Sequence, residues 1–146
     1  MKPILAALLA AAALPVSAEV AVCGGVGSDE RFAMESAARV SNLAIEMFVA
    51  QGGEYIADVH VTVRRENARE DTLAVRAQGP LCYLKLEPGR YRIEATFQGI
   101  TRSAQATVPR DAKRPVRVAI AFPKSVGDRQ TDAATPEEKA QAAKRP

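Results

Sequence analysis

Apolar and polar residues exchange places at every second position over long parts of this chain, the period of a strand with one dry and one wet face. The clearest run is Leu81–Gly99, LCYLKLEPGRYRIEATFQG. Cys82, Leu84 and Leu86 alternate with Tyr83 and Lys85, and Tyr91, Ile93, Ala95 and Phe97 alternate with Arg92, Glu94, Thr96 and Gln98. Pro88 and Gly89 lie between the two runs, where proline presets φ for a turn and glycine tolerates positive φ. The pattern predicts a half-buried β-hairpin about which the other elements are arranged. Upstream, Leu43, Ile45, Met47 and Val49 share one face, opposite Ala44, Glu46 and Phe48, and Gln51–Glu54 signals a turn. Tyr55–Arg64 places Ala57, Val59, Val61 and Val63 inward and Asp58, His60, Thr62 and Arg64 outward. A charged loop, Arg65–Asp71, leads to a short strand at Thr72–Ala77 with Leu73 and Val75 inward, and Gly79-Pro80 turns into the central hairpin. Downstream, Ile100–Val108 is poor in large apolar residues, which predicts an edge strand. Val116, Val118, Ile120 and Phe122 make a last strand, ended by Pro123.

Three stretches break this period. Phe32, Ala33, Ala37 and Val40 recur at helical spacing, so Ser28–Val40 reads as a short amphipathic helix with Ser28 as its cap and Asp29 and Glu30 at its positive end. Residues 1–18 read as a signal peptide: Lys2, an apolar run at Ile4–Leu14, Pro15, and small residues before a cut after Ala18. That run is shorter than the roughly 20 residues a membrane-spanning helix needs. From Lys124 the chain has no aromatics and Val126 as its one large aliphatic side chain, so 124–146 reads as a disordered tail. The expected organisation is a signal at 1–18, an N-terminal segment with the short helix at 19–41, a β-domain at 42–123 and the tail at 124–146. About seven short strands spaced by about 8–12 residues, without βαβ alternation, predict a mainly β, antiparallel sandwich.

Composition adds a compartment. Export leaves two cysteines, Cys23 and Cys82, and an even count in an exported protein predicts a disulfide between them. Closing a loop of about 60 residues is worth roughly 4 kcal/mol in chain entropy. Val22 before Cys23 does not fit a lipid-attachment site. The expected location is periplasmic or secreted, with no integral membrane segment after signal cleavage. Removing Lys2 with the signal takes the formal charge only from +3 to +2. Both signs are interspersed, which is not a nucleic-acid footprint.

The run Leu84–Gly99 resembles the carboxypeptidase regulatory-like domains: a strand, a Pro-Gly turn, an aromatic residue and an alternating strand recur there in this order. Asp58–Val63 resembles the strand that precedes the charged loop in those domains. The resemblance covers Asn42–Phe122 and implies a seven-stranded antiparallel sandwich of the transthyretin, or prealbumin, type. It further implies an accessory module with a role in stabilisation, adhesion, transport or sugar contact. A GGVG segment followed by acidic residues, set before such a domain, is similar in layout to small exported proteins of Gram-negative bacteria.

Little in the chain points to chemistry. His60 is the only histidine, and its period puts it on an outward strand face beside Asp58 and Thr62, which reads as surface rather than as a catalytic dyad. One histidine and two distant cysteines make no zinc pattern. Glu66, Glu70 and Asp71 are interleaved with Arg64, Arg65 and Arg69, which reads as a solvated loop rather than a calcium site. Gly24–Ser28 lacks the lysine and the spacing of a phosphate loop. The transthyretin-related hydroxyisourate hydrolases need several histidines and a terminal Tyr-Arg-Gly-Ser, whereas this chain ends in Ala-Ala-Lys-Arg-Pro. The expectation is a non-enzymatic module with no cofactor and no metal, binding a protein partner, by strand addition at Ile100–Val108 or through the tail, or a glycan or other small ligand. Tyr83 and Lys85, with Arg92 on the outer side of the hairpin's second strand, form the candidate ligand site, and Tyr55 is a further exposed aromatic. Arg92, Arg102 and Arg117 are outward basic residues with acids between them.

Overall fold

The alternating runs form strands, and their pairing is less local than their sequence suggests. The computed structural model describes residues 20–25 and 27–124. The expected signal, and the tail after Lys124, lie outside the described residues. In chain order the elements are β1 (Val20–Gly24), α1 (Arg31–Val40), β2 (Leu43–Val49), β3 (Val59–Arg65), β4 (Leu73–Ala77), β5 (Leu81–Lys85), β6 (Gly89–Phe97), β7 (Ile100–Val108) and β8 (Val116–Phe122). They make two four-stranded sheets: sheet I in the order β1-β5-β2-β8 and sheet II in the order β4-β3-β6-β7. The described residues therefore hold eight strands rather than about seven. The added one is β1, from the segment expected to stand ahead of the β-domain. Nor is the pairing wholly antiparallel, since β2 and β8 run parallel, Leu43 opposite Val116 through Val49 opposite Phe122.

The expected central hairpin is not formed. β5 pairs with β1 and β2 in sheet I, whereas β6 pairs with β3 and β7 in sheet II. Pro88-Gly89 thus carries the chain from one sheet to the other. The Tyr91 hydroxyl donates to the Glu87 carbonyl at 2.7 Å and the Arg65 guanidinium to the Pro88 carbonyl at 2.7 Å, which fixes this corner. Hairpins form instead at β3–β4 and, with the tighter loop, at β6–β7. The two-residue β6–β7 loop, Gln98-Gly99, has φ of 48° and 78°, the doubly positive signature of the tight turn that matches strand twist.

Most of the inward residues found by period 2 are buried, and Leu73, Val75, Val116 and Val118 are partly so. Leu43, Ile45, Met47, Val49, Val59, Val61 and Val63 join Cys82, Leu84, Tyr91, Ile93, Ala95 and Phe122 in a single apolar cluster fed by both sheets. One phase is corrected. Ahead of β3 the buried residue is Ile56, not Ala57, because Asp58 adopts φ 67° and resets the alternation before Val59.

Cys23 stands directly opposite Cys82 across β1 and β5, the two Cα atoms 4.1 Å apart, and the disulfide joins them. Helix α1 lies on β1 and β5. It begins at Arg31 rather than Ser28, Glu30 is its N-cap residue, and no side chain caps it. The Glu30 carboxylate instead accepts the Gly25 N–H at 2.8 Å, tying the helix start to the end of β1. The buried face is corrected in part: Ala37 faces the sheet as expected and Met34 joins it, while Ala33 is exposed and Phe32 and Val40 are 80% and 67% exposed. A Cβ on Gly24 would lie 2.8 Å from Glu30 Oε2 and 3.3 Å from Met34 Sδ, so these two side chains pack closely on the end of β1.

Gly79 makes the tightest backbone approach: a Cβ there would overlap the main chain of Gly24. Gly79→Ala should therefore cost about 1–3 kcal/mol by overpacking. Urea unfolding checks this, and a midpoint equal to that of the parent would contradict the approach.

Candidate functional site

A groove with a volume of about 360 Å³ opens on sheet II. Three paired strands build it. Arg64 on β3 is directly opposite Arg92 on β6, and Arg92 is opposite Gln105 on β7, so these three form one row across the sheet. One row further along, Arg90 stands opposite Thr107, and the Glu66 N–H extends the ladder to the Arg90 carbonyl at 2.8 Å. The loop after β3 turns sharply at Asn67, φ 70°, and Asn67 and Ala68 wall the groove.

The arginines are held to different degrees. Arg90 Nε meets Glu66 Oε2 at 2.9 Å. Arg65 reaches Glu87 at 3.3 Å as well as the Pro88 carbonyl. Arg92 has Glu94 at 3.4 Å, and Arg64 has only Asp71 at 4.0 Å. All these pairs are exposed to solvent, where an ion pair is weak. Arg64, Arg65, Arg90 and Arg92 line the groove, and Glu66 is the one acidic side chain in its lining. A rigid, positively charged surface that presents guanidinium forks is suited to an anion.

The ligand set expected from sequence is split by the fold. Tyr83 and Lys85 share β5 in sheet I, and Arg92 belongs to sheet II. The set holds together only if β5 and β6 are partners, and they are not. Tyr83 is half-buried and borders a second concavity with Gly25, Arg31, Met34, Glu35 and Ala38 at the edge of α1. Arg92, Arg102 and Arg117 do not share one face either. Arg102 is opposite the inward-facing Ala95, and Arg117 is on β8 in the other sheet. Tyr55 is exposed and donates to Glu46 Oε1 at 3.1 Å, a bond that raises its phenol above the ordinary value.

His60 is exposed, with Thr96 and Arg76 as its cross-strand neighbours. Asp58 does not orient it. Arg76 takes both Asp58 oxygens instead, Nε to Oδ1 at 2.7 Å and Nη2 to Oδ2 at 2.9 Å. Those hydrogen bonds hold the Asp58 carboxyl below its ordinary value. A carboxylate of lowered pKa contributes stability above its unfolded pKa and loses it as pH falls through the folded one. Arg76→Ala should therefore return the Asp58 titration upward to the ordinary carboxylate range. Carboxyl-carbon NMR reads this, and an unmoved midpoint would contradict the pair.

Among the described residues no group of three or more His, Cys, Asp or Glu could hold a metal ion. No helix there is long and apolar enough to cross a membrane. The signal that marks the groove in the sequence is the pair of clusters Arg64-Arg65 and Arg90-Tyr91-Arg92, but only the strand register brings them together. No family model matches this chain, and no curated protein matches it significantly.

Proposed function

We propose that the chain is a non-enzymatic, exported β-sandwich module of the prealbumin type that works by binding, with the groove on sheet II as its docking surface. The observation that carries this reading is the arginine-lined groove itself, built on three hydrogen-bonded strands and therefore preorganised. Its volume is at the lower end of the range for small-ligand pockets. Two four-stranded sheets feeding one apolar cluster support the sandwich, and the Cys23–Cys82 bond supports an oxidising compartment, periplasmic or secreted.

Strand addition at β7 is the less favoured mode. β7 is paired on one side only, but β8 runs alongside it and crowds that edge. The outer face of sheet II is the more open surface. A thermal-shift screen of saccharides and organic acids, together with a glycan array, tests the reading. The expected result is saturable stabilisation that survives Tyr83→Ala and is lost in Arg90→Ala. Binding lost on Tyr83→Ala but kept in Arg90→Ala would move the site to the α1 face. A library without a single hit, or turnover of any compound in it, would overturn the reading.

A further inference from the structure

We propose that Arg64 and Arg92 form an oxyanion clamp, and that the ligand of the groove is a small anionic molecule gripped by its carboxylate, phosphate or sulfate group. This rests on the groove being the docking surface and goes on to name the ligand's chemistry. Like charges directly opposite on paired strands repel, so such a pair costs stability unless something neutralises it. Arg64 and Arg92 stand in that relation. Each has a single, solvent-exposed acidic neighbour, Asp71 at 4.0 Å from Arg64 and Glu94 at 3.4 Å from Arg92 Nε, so the relief is partial and most of the guanidinium N–H groups are left over. The flanking arginines differ. Arg90 is closed onto Glu66 at 2.9 Å, and Arg65, opposite the buried Tyr91, is closed onto the Pro88 carbonyl at 2.7 Å, so Arg64 and Arg92 carry the less engaged guanidinium groups.

An oxyanion set between two guanidinium forks would accept charge-assisted bonds from both and turn the repulsion into binding. Gln105, beside Arg92 in the same row, and Asn67 and Thr107 on the walls supply neutral donors and acceptors for hydroxyls on the rest of the ligand. An acidic sugar or a sugar phosphate has this combination of one charged group and several hydroxyls. A long polyanion does not suit the site, because the groove is short and the chain as a whole carries only +3.

Isothermal titration of the protein purified after export, at low ionic strength, tests the clamp with sodium glucuronate, glucose 6-phosphate, inorganic phosphate and inorganic sulfate, and with glucose as the neutral probe. Glucuronate or glucose 6-phosphate should bind, and glucose should not. Affinity should fall as salt rises. Arg64→Ala and Arg92→Ala should each weaken binding by about tenfold to a hundredfold, the usual range for losing hydrogen bonds to a charged group. Arg76→Ala, which lies outside the groove, should bind as the parent does. The folded state offers a second readout: in the absence of ligand, Arg92→Ala should unfold at a temperature no lower than the parent, because it removes half of an opposed pair. If the inorganic ions bind as tightly as the sugars, the clamp stands and the hydroxyl contacts fall. If glucose binds as tightly as glucuronate and Arg90→Ala abolishes both, the groove stands and the clamp falls. Anion binding unchanged in both Arg64→Ala and Arg92→Ala, or no binding of any anionic probe, overturns the clamp.

Discussion

The Cys23→Ala/Cys82→Ala double variant should lose about 4 kcal/mol of stability, the chain-entropy value for a loop of this size. The residues are 59 apart in sequence and directly opposed on neighbouring strands. Alanine suits this test because Cys82 is fully buried and a serine hydroxyl there would lack a partner. The loss should be felt first at the N-terminal end. β1 is an edge strand of five residues whose one neighbour is β5, and α1 packs on both. At about 4–8 °C per kcal/mol for a domain of this size, the unfolding temperature should fall by roughly 15–30 °C. Amides of β1 and α1 should then exchange with solvent far faster than those of β2 or β3. A double variant within about 1 kcal/mol of the parent would mean that the bond constrains little.

Asn42→Ala should cost about 2–4 kcal/mol, the most expected of any polar substitution. Asn42 is the one polar residue among the buried side chains described. Its amide acts as an additional peptide group in the β2–β5 ladder: Nδ2 donates to the Leu86 carbonyl at 2.6 Å, and Oδ1 accepts the Leu86 N–H at 2.9 Å. Its backbone works on both sides too, the N–H donating to Leu84 and the carbonyl accepting from Val116. Alanine would strand two buried main-chain groups of Leu86, each worth about 1–3 kcal/mol when left without a partner. Asn42→Asp sharpens the test. A protonated carboxyl can still donate to the Leu86 carbonyl and an ionised one cannot, so folding raises the pKa of the new group. The stability retained at low pH should be lost as pH rises through that raised value. Chemical denaturation at acid and neutral pH reads both variants, and a cost below about 0.5 kcal/mol for the alanine would remove Asn42 from the ladder.

What the sequence reveals about this fold depends on how far each signal reaches along the chain. Alternation at Leu43–Val49 and Val59–Val63 is a property of neighbouring residues, so the inward sets could be read directly. Pairing is not local in that way. Leu84 and Ile93 each turn a dry face to the same core, and that holds whether their strands share a sheet or sit in opposite ones. Pro88-Gly89 bends the chain in either case, so a sheet-to-sheet corner passed for a hairpin. The helix face is legible only in part: helical spacing marks Ala37, which is buried, but the larger apolar side chains Phe32 and Val40 are exposed and Met34 takes the place beside Gly24. The candidate site followed the pairing error. A β5–β6 hairpin would set Arg92 near Tyr83, whereas its cross-strand partners are Arg64 and Gln105. Cysteine parity, by contrast, needed no register, and the bond it predicted is present.

The most direct test of the account is where a ligand touches the protein. Amide NMR spectra recorded during titration with sodium glucuronate should show the largest shifts at Arg64, Arg92 and Gln105, with Asn67 and Thr107 following. Shifts centred instead on Tyr83, Lys85 and α1, or a spectrum that does not change at all, would contradict it.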